Sequence, residues 1–296
     1  MDKIAIVTGA AGFAGCNLTE HLLEHGYKVY AIVRPQSKHN TRLKSSDRLV
    51  IVECDSSEYH KLPNLISEKC HLFFHFTWMG GRDDFVMQSF SQKITIDVLR
   101  AAVDLGCDRF IAAGSQAEYG LCIEEIKETT MPNPINAYGT FKLATMLETK
   151  CLAKQLGIDW IWGRIFSVYG KYEDSGRLLA NAIIKMKNNE PLNLSSCTQY
   201  WDYIDAGDLA EAFIALGEKG KSGEVYNVAN GNYRTLKDFI EEVHDILGSS
   251  SKVIYGKDAN PYVSLKPSIE KIVRDTGWKP SISFHDGIIS AAKARI

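Results

Sequence analysis

The chain has 296 residues, 45% hydrophobic and 24% charged, enough for one sizeable α/β domain or a domain with a smaller companion. Its 34 Lys and Arg against 36 Asp and Glu give a formal charge of −2, so nothing electrostatic points to nucleic acid or an anionic membrane. Seven scattered cysteines without C-x-x-C spacing read as small hydrophobes in a reducing compartment, not a disulfide framework or metal site.

In chain order, the first β-type run spans residues 3–8, and no apolar run approaches membrane-spanning length. A start this early leaves no room for a signal peptide, so the cytoplasm is the expected compartment. The run breaks at Gly9, glycines recur at Gly12 and Gly15, and a helical pattern follows over 13–25. Strand, glycine turn and helix in that order predict a dinucleotide site. Gly9 takes the tight turn, Gly12 admits a pyrophosphate, and Gly15 packs helix against strand. The second run, 28–33, ends in Val33-Arg34-Pro35 with no carboxylate at the place that commonly binds the adenosine ribose. Arg34, with Lys38 and Arg42 behind it, offers a planar fork for a 2′-phosphate, or else forms a solvated basic loop. The preferred cofactor is therefore expected to be NADP(H) over NAD(H).

Further β-type runs at 49–53, 71–76, 109–113 and 159–165 alternate with helical stretches at 86–105 and 138–156. Alternation of this kind predicts a Rossmann-type, doubly wound parallel sheet whose ligands lie beyond the carboxyl ends of the strands. His75, inside an apolar strand, reads as a core histidine. Trp78-Met-Gly-Gly-Arg-Asp-Asp84 should overhang the crevice as a glycine-hinged lid, with Trp78 packed either on the ligand or at a core edge. Ser115 leaves the 109–113 run, as a hydroxyl aimed at a reacting oxygen or as a turn and cap residue. Tyr138 and Lys142 lie one helical turn apart, and a lysine so placed can lower a phenol's pKa toward neutrality for proton transfer. The same spacing recurs at Tyr233/Lys237 and Tyr262/Lys266, but only Tyr138 opens the helix after that strand. Beyond 168 come helical stretches at 177–188, 207–217 and 235–247 and a β-type run at 224–229. They predict a smaller α/β cap. The expected division is 1–168 with about 200–225 for the cofactor domain, and about 169–199 with 226–296 for the cap. No metal-ligand spacing occurs.

TGAAGFAG, GSQAEYG, YGTFK, RIFSVYG (164–170), WDYIDAGDLA (201–210), YNVANG (226–231) and GWKPSISFHDGI occur in order along nearly the whole chain. Together they resemble the extended short-chain dehydrogenase/reductase family, in its nucleotide-sugar epimerase, dehydratase and reductase branch. The resemblance implies Ser115, Tyr138 and Lys142 as the catalytic trio, with Lys142 also on the nicotinamide ribose. It implies cofactor contacts from Gly9, Ala11, Gly12, Phe13, Ala14, Gly15, Arg34, Asp55 (near the adenine), Phe76 and Thr77. Substrate contacts would come from Trp78, Ser115, Gln116, Ser167 and Arg177. Relatives usually form homodimers through the two helices that here are 86–105 and 138–156.

Departures narrow the chemistry. Dehydratases of the branch usually carry an acidic pair where this chain has Gln116-Ala117, so elimination of water is disfavoured. Glu118, one place later, reads as a solvated turn charge. An NADP(H) site fits net reduction of a keto group, at C4 of a nucleotide-activated deoxysugar. The alternatives are a nucleotide-sugar 4-epimerase and, in another class, a non-catalytic NADPH-binding sensor. Trp201 stands where many relatives have a diphosphate-binding arginine, leaving Arg177, Arg234 or Lys266 as substitutes, and Ser167 replaces an amide that often contacts substrate.

Overall fold

The computed structural model describes residues 3–257 and 264–294. Tyr262 lies outside them. In chain order the elements are β1 (Ile4–Thr8), α1 (Phe13–Glu24), β2 (Lys28–Val33), β3 (Leu49–Glu53), α2 (Leu62–Leu65), β4 (Leu72–His75), α3 (Phe85–Asp104) and β5 (Arg109–Ser115). There follow α4 (Ala137–Leu156), β6 (Asp159–Ile165), β7 (Ser167–Tyr169), α5 (Leu178–Lys187), β8 (Leu192–Leu194), β9 (Tyr200–Trp201), β10 (Tyr203–Asp205) and α6 (Ala206–Lys219). The last are β11 (Glu224–Val228), β12 (Arg234–Thr235), α7 (Leu236–Ile246), β13 (Val253–Tyr255), α8 (Glu270–Thr276) and α9 (Phe284–Lys293).

Seven strands form one parallel sheet in the order β11-β6-β5-β4-β1-β2-β3. Its central strands are apolar on both faces because helices cover both, and β1 is buried at all five positions. One face packs on α1, α6 and α8 through Leu18, Leu22, Phe213 and Ile272. The other packs on α3 and α4 through Ile94, Val98 and Met146. Asp84 caps α3 by accepting from Met87 N–H, and Asn136 caps α4 by accepting from Gly139 N–H at 2.8 Å. The order reverses between β1 and β4, and Thr8 pairs with both Ile32 and His75. A crevice opens beyond those strand ends, the place where open parallel sheets bind ligands.

A second region holds three two-stranded sheets: β7 with β10, β9 with β12, and β8 with β13. With α5, α7 and α9 these close a separate core around Leu179, Ile183, Phe239 and Ile288. β11 pairs with β6 as the edge of the main sheet, so the expected division near 225 falls inside a strand of that sheet. The α8 residue Ile272 also joins the main core. Short strands such as β7, β8 and β13 carry too few residues for a readable alternation. No helix among the described residues is long and apolar enough to cross a membrane.

Candidate active site

The groove begins at the glycine turn. Gly9 has φ +69°, and a Cβ there would lie 3.0 Å from the backbone of Phe76 and of Thr77. At Gly15 a Cβ would sit 2.1 Å from the Gly9 carbonyl oxygen, so α1 can approach β1 only without a side chain. Gly12 is the N-cap of α1 and offers no side chain to its first N–H groups, which remain available to an anion.

Two cavities lie along the strand ends. The smaller, of about 260 Å³, is lined by Gly9, Ala11, Gly12, Arg34, Thr77 and neighbours. The larger, of about 610 Å³, is lined by Phe13, Ala14, Ser115, Gln116, Tyr138, Lys142, Ser167 and Arg177. Phe76 and Trp78 border both, which makes one continuous trough.

At the smaller end Arg34 is exposed on the wall, while Arg42 donates to the Ala11 carbonyl at 3.4 Å and lies over the Tyr172 ring. His39 and Asn40, unremarked in the sequence, also line this end, and the Asn40 side-chain oxygen is buried without a partner. The His39 imidazole is held below its usual pKa by burial and then by the charges of Arg42 and Lys38. Asp55 does not form part of the wall. Its carboxylate caps a 3-10 turn, accepting from the Ser57 N–H at 3.0 Å and hydroxyl at 2.7 Å, and the neighbouring Ser56 lines the cavity instead.

At the larger end Ser115 is buried, with its hydroxyl oxygen accepting from the Ala117 N–H at 3.2 Å. Its own proton thus remains to give, and Tyr138 is in hydrogen-bonding contact with it. Lys142 donates to the Ala113 carbonyl at 2.6 Å, and its ammonium stands 3.7 Å from the centre of the Trp78 ring and 6.0 Å from that of Tyr138. The expected depression of the Tyr138 pKa is corrected for the protein by itself. Burial raises the phenol above its ordinary value, outweighing the Ser115 hydrogen bond and the charges of Arg82 and Arg177. Lys142 is itself pushed down to about 7 by burial, with Glu118 opposing.

Glu118 is the second correction, for it is fully buried and not a solvated turn charge. It accepts from the Ser115 N–H, the Trp162 indole N–H and the Arg164 guanidinium at 2.9, 2.9 and 2.7 Å. The Ser115-x-x-Glu118 spacing is that of a capping box, but the burial was not legible, because Trp162 and Arg164 come from another strand. The loop read as a glycine-hinged lid is tied down by the buried Gln88. That side chain accepts from the Trp78 indole at 2.6 Å and donates to the Gly81 carbonyl at 2.8 Å. From that loop Arg82 reaches the large cavity and accepts the Tyr138 N–H on its carbonyl at 2.8 Å. Glu173, just past β7, also lines the cavity.

Of the three proposed cations for the Trp201 gap, only Arg177 lines the cavity. Arg234 is paired with Glu242 and lies over the Phe239 ring, and Lys266 lies over the Tyr200 ring. Trp201 itself lines the wall, its indole N–H buried without a partner.

His75 is a core residue as read. Thr95 spends its proton on the Ser91 carbonyl, so His75 Nε2–H donates to Thr95 at 3.1 Å while Nδ1 accepts from Thr8 at 2.7 Å. Burial pushes its pKa down to about 3, which keeps the ring neutral.

A family model described as the NAD dependent epimerase/dehydratase family matches residues 5–229. The dTDP-D-glucose 4,6-dehydratase of Mus musculus is 23% identical over 309 residues, covering 97% of this chain and 86% of the relative. The UDP-glucuronic acid 4-epimerase of Bacillus cereus in complex with NAD superposes with TM-score 0.86 at 24% identity, over 98% of each chain. RMD from Pseudomonas aeruginosa, complexed with NADPH, superposes with TM-score 0.83 at 22% identity over 99% of each. The chain thus belongs to the NAD dependent epimerase/dehydratase family and is an enzyme of the extended short-chain dehydrogenase/reductase type.

Proposed function

We propose that the protein reduces a keto group, at C4 of a nucleotide-activated deoxysugar, with NADPH as the preferred reductant. The observation that carries the reading is the gathering of Ser115, Tyr138 and Lys142 on one wall of the 610 Å³ cavity. A sensor would have no use for that trio. The trough fits a dinucleotide by the same token: the bare glycine turn leaves the first N–H groups of α1 without a side-chain cap, and an orphaned Asn40 oxygen faces no protein donor.

Gly9, Ala11, Gly12, Phe13 and Ala14 would hold the pyrophosphate end, with Phe76 and Thr77 beside the cofactor and Lys142 on its nicotinamide ribose. Arg34 would take the adenosine 2′-phosphate, in a loop whose charges already depress His39. The cofactor's part when bound is to supply the hydride. Tyr138 is protonated at neutral pH as an ordinary phenol is, and burial raises it further, the state a proton donor to the new alkoxide needs. Ser115 gives its free hydroxyl proton as a hydrogen bond to the same oxygen. Lys142, 6.0 Å from the phenol ring, stabilises the phenolate left behind until solvent reprotonates it. The turn beside Ser115 presents Gln116 and Ala117, with no carboxyl to remove or return a carbon-bound proton, which disfavours dehydration. Arg177 is the cation that would meet the substrate diphosphate, beside Trp78, Gln116 and Ser167.

The test follows absorbance at 340 nm with UDP-, dTDP-, GDP- and CDP-linked 4-keto-6-deoxysugars and either NADPH or NADH. One NADPH consumed per sugar alcohol formed is the expected result. A tenfold preference for NADH would sink the cofactor reading. Inversion of a UDP-sugar at C4 without net cofactor loss would establish the 4-epimerase, whose proton transfers the same trio serves. Exposed Phe85 and Val86 on α3 and Leu147 on α4 fit a homodimer through these helices, with sedimentation as the check.

A further inference from the structure

The buried carboxylate of Glu118 has no part in the reaction as written, yet it touches the machinery from behind. The parallel register of β5 and β6 sets Gly114 opposite Arg164 and Ala112 opposite Trp162, on one face of the sheet. A Cβ on Gly114 would fall 2.0 Å from the Trp162 indole nitrogen and 2.8 Å from a Glu118 oxygen, so the glycine keeps the space that the network fills. Glu118 turns back into that space from the 3-10 turn of Gln116–Glu118 and closes a reciprocal cap with Ser115. Both ions of the Glu118–Arg164 pair are buried, with side chains 0% and 2% exposed. The Trp162 ring that donates to Glu118 lies 5.7 Å from the Lys142 ammonium.

We infer that Glu118 is a positioning residue: it fixes the Ser115 turn through the backbone N–H and places a negative charge behind Lys142 that holds it in the ammonium form. Arg164 supplies the counter-charge that lets a carboxylate be buried at all. The other groups around Lys142 bring no opposite charge: the Ala113 carbonyl accepts its hydrogen bond and the Trp78 ring face lies over it, but both are neutral. His75 on β4 is neutral, Trp78 presents only a ring face, and Tyr138 on α4 is a protonated phenol. Burial drives the Lys142 pKa down and Glu118 is the charged group that opposes it, in agreement with the geometry. The inference rests on the proposed role of Ser115, Tyr138 and Lys142, but its test needs no substrate.

Protein carrying [13C]lysine is titrated by NMR, with the Lys142 Cε signal assigned by its loss in Lys142→Met. Two variants are compared with wild type: Glu118→Gln, and Glu118→Gln/Arg164→Met, which leaves no unpaired buried ion if the single variant fails to fold. The expected result is a Lys142 midpoint at least about one pH unit lower, a tenfold loss of proton affinity, in whichever variant folds. A midpoint within about 0.2 units of wild type in a folded variant overturns the inference. Turnover of Tyr138→Phe at the wild-type rate would instead overturn the proton-donor reading, and with it any need to position Lys142.

Discussion

At the end of the trough beside Gly9 and Gly12 the exposed side chain on the wall of the 260 Å³ cavity is Arg34, on the loop that leads into a short 3-10 turn. At the end beside the larger cavity, Ser115, Lys142, Glu118 and Arg164 are all buried charged or polar groups, each held by a named partner. Exposed charges are screened and adaptable, whereas buried ones are strengthened by low polarity and fixed by their hydrogen bonds. The difference teaches that, under the proposed function, cofactor choice would be set by a part of the molecule that tolerates change, and chemistry by a part that does not.

Substitutions should divide along that line, the largest effect falling where α1 packs on the glycine turn. Gly15→Ala puts a methyl group 2.1 Å from the Gly9 carbonyl, and should cost about 3 kcal/mol or more in urea unfolding. It should also weaken NADPH binding at least about tenfold in a fluorescence titration. Next, Tyr138→Phe should leave the melting curve near wild type while reducing turnover about 100-fold or more. Turnover within twofold of wild type would show that the phenol is not the proton donor.

The third effect is read in pH. His75 has a folded pKa of about 3, below the ordinary value of an unfolded histidine, so it supports stability above the latter and costs stability as pH falls. Between about pH 6 and 4 the loss should run at about 1.4 kcal/mol per pH unit. Asp202 and Asp205, both raised by burial to about 6, work in the opposite sense, because the native state then binds their protons first. The comparison of wild type with His75→Gln isolates the histidine, and equal slopes for the two would refute it. The smallest effect belongs to the exposed end. Arg34→Ala should raise the NADPH KM about tenfold and leave that for NADH within about twofold.

Much of the crevice was legible along the chain. Gly9, Gly12 and Gly15 were readable because a dinucleotide turn imposes local backbone demands, and the structure gives Gly9 its left-handed φ and Gly15 its close contact. The six sheet strands read from apolar runs, and α1, α3 and α4 from helical periodicity, are local signals too. Tyr138 was distinguished from Tyr233 only by its place after a strand. Asp55 was placed by resemblance, and one oxygen of its carboxylate caps a turn beside the cavity.

The local sequence therefore determined six strands of the sheet, its glycine turn and several of the residues that face the crevice, since each follows from backbone geometry or a spacing of a few residues. Tertiary structure decided the burial of Glu118, the neutral state of His75, the anchoring of Trp78 by Gln88 and the pairing of Arg234 with Glu242. It also decided that β11 closes the main sheet. A charge is solvated or buried according to which distant strand supplies its partner, as Arg164 does for Glu118 from 46 positions away. The energy of such a contact depends on surroundings that no stretch of neighbouring residues encodes.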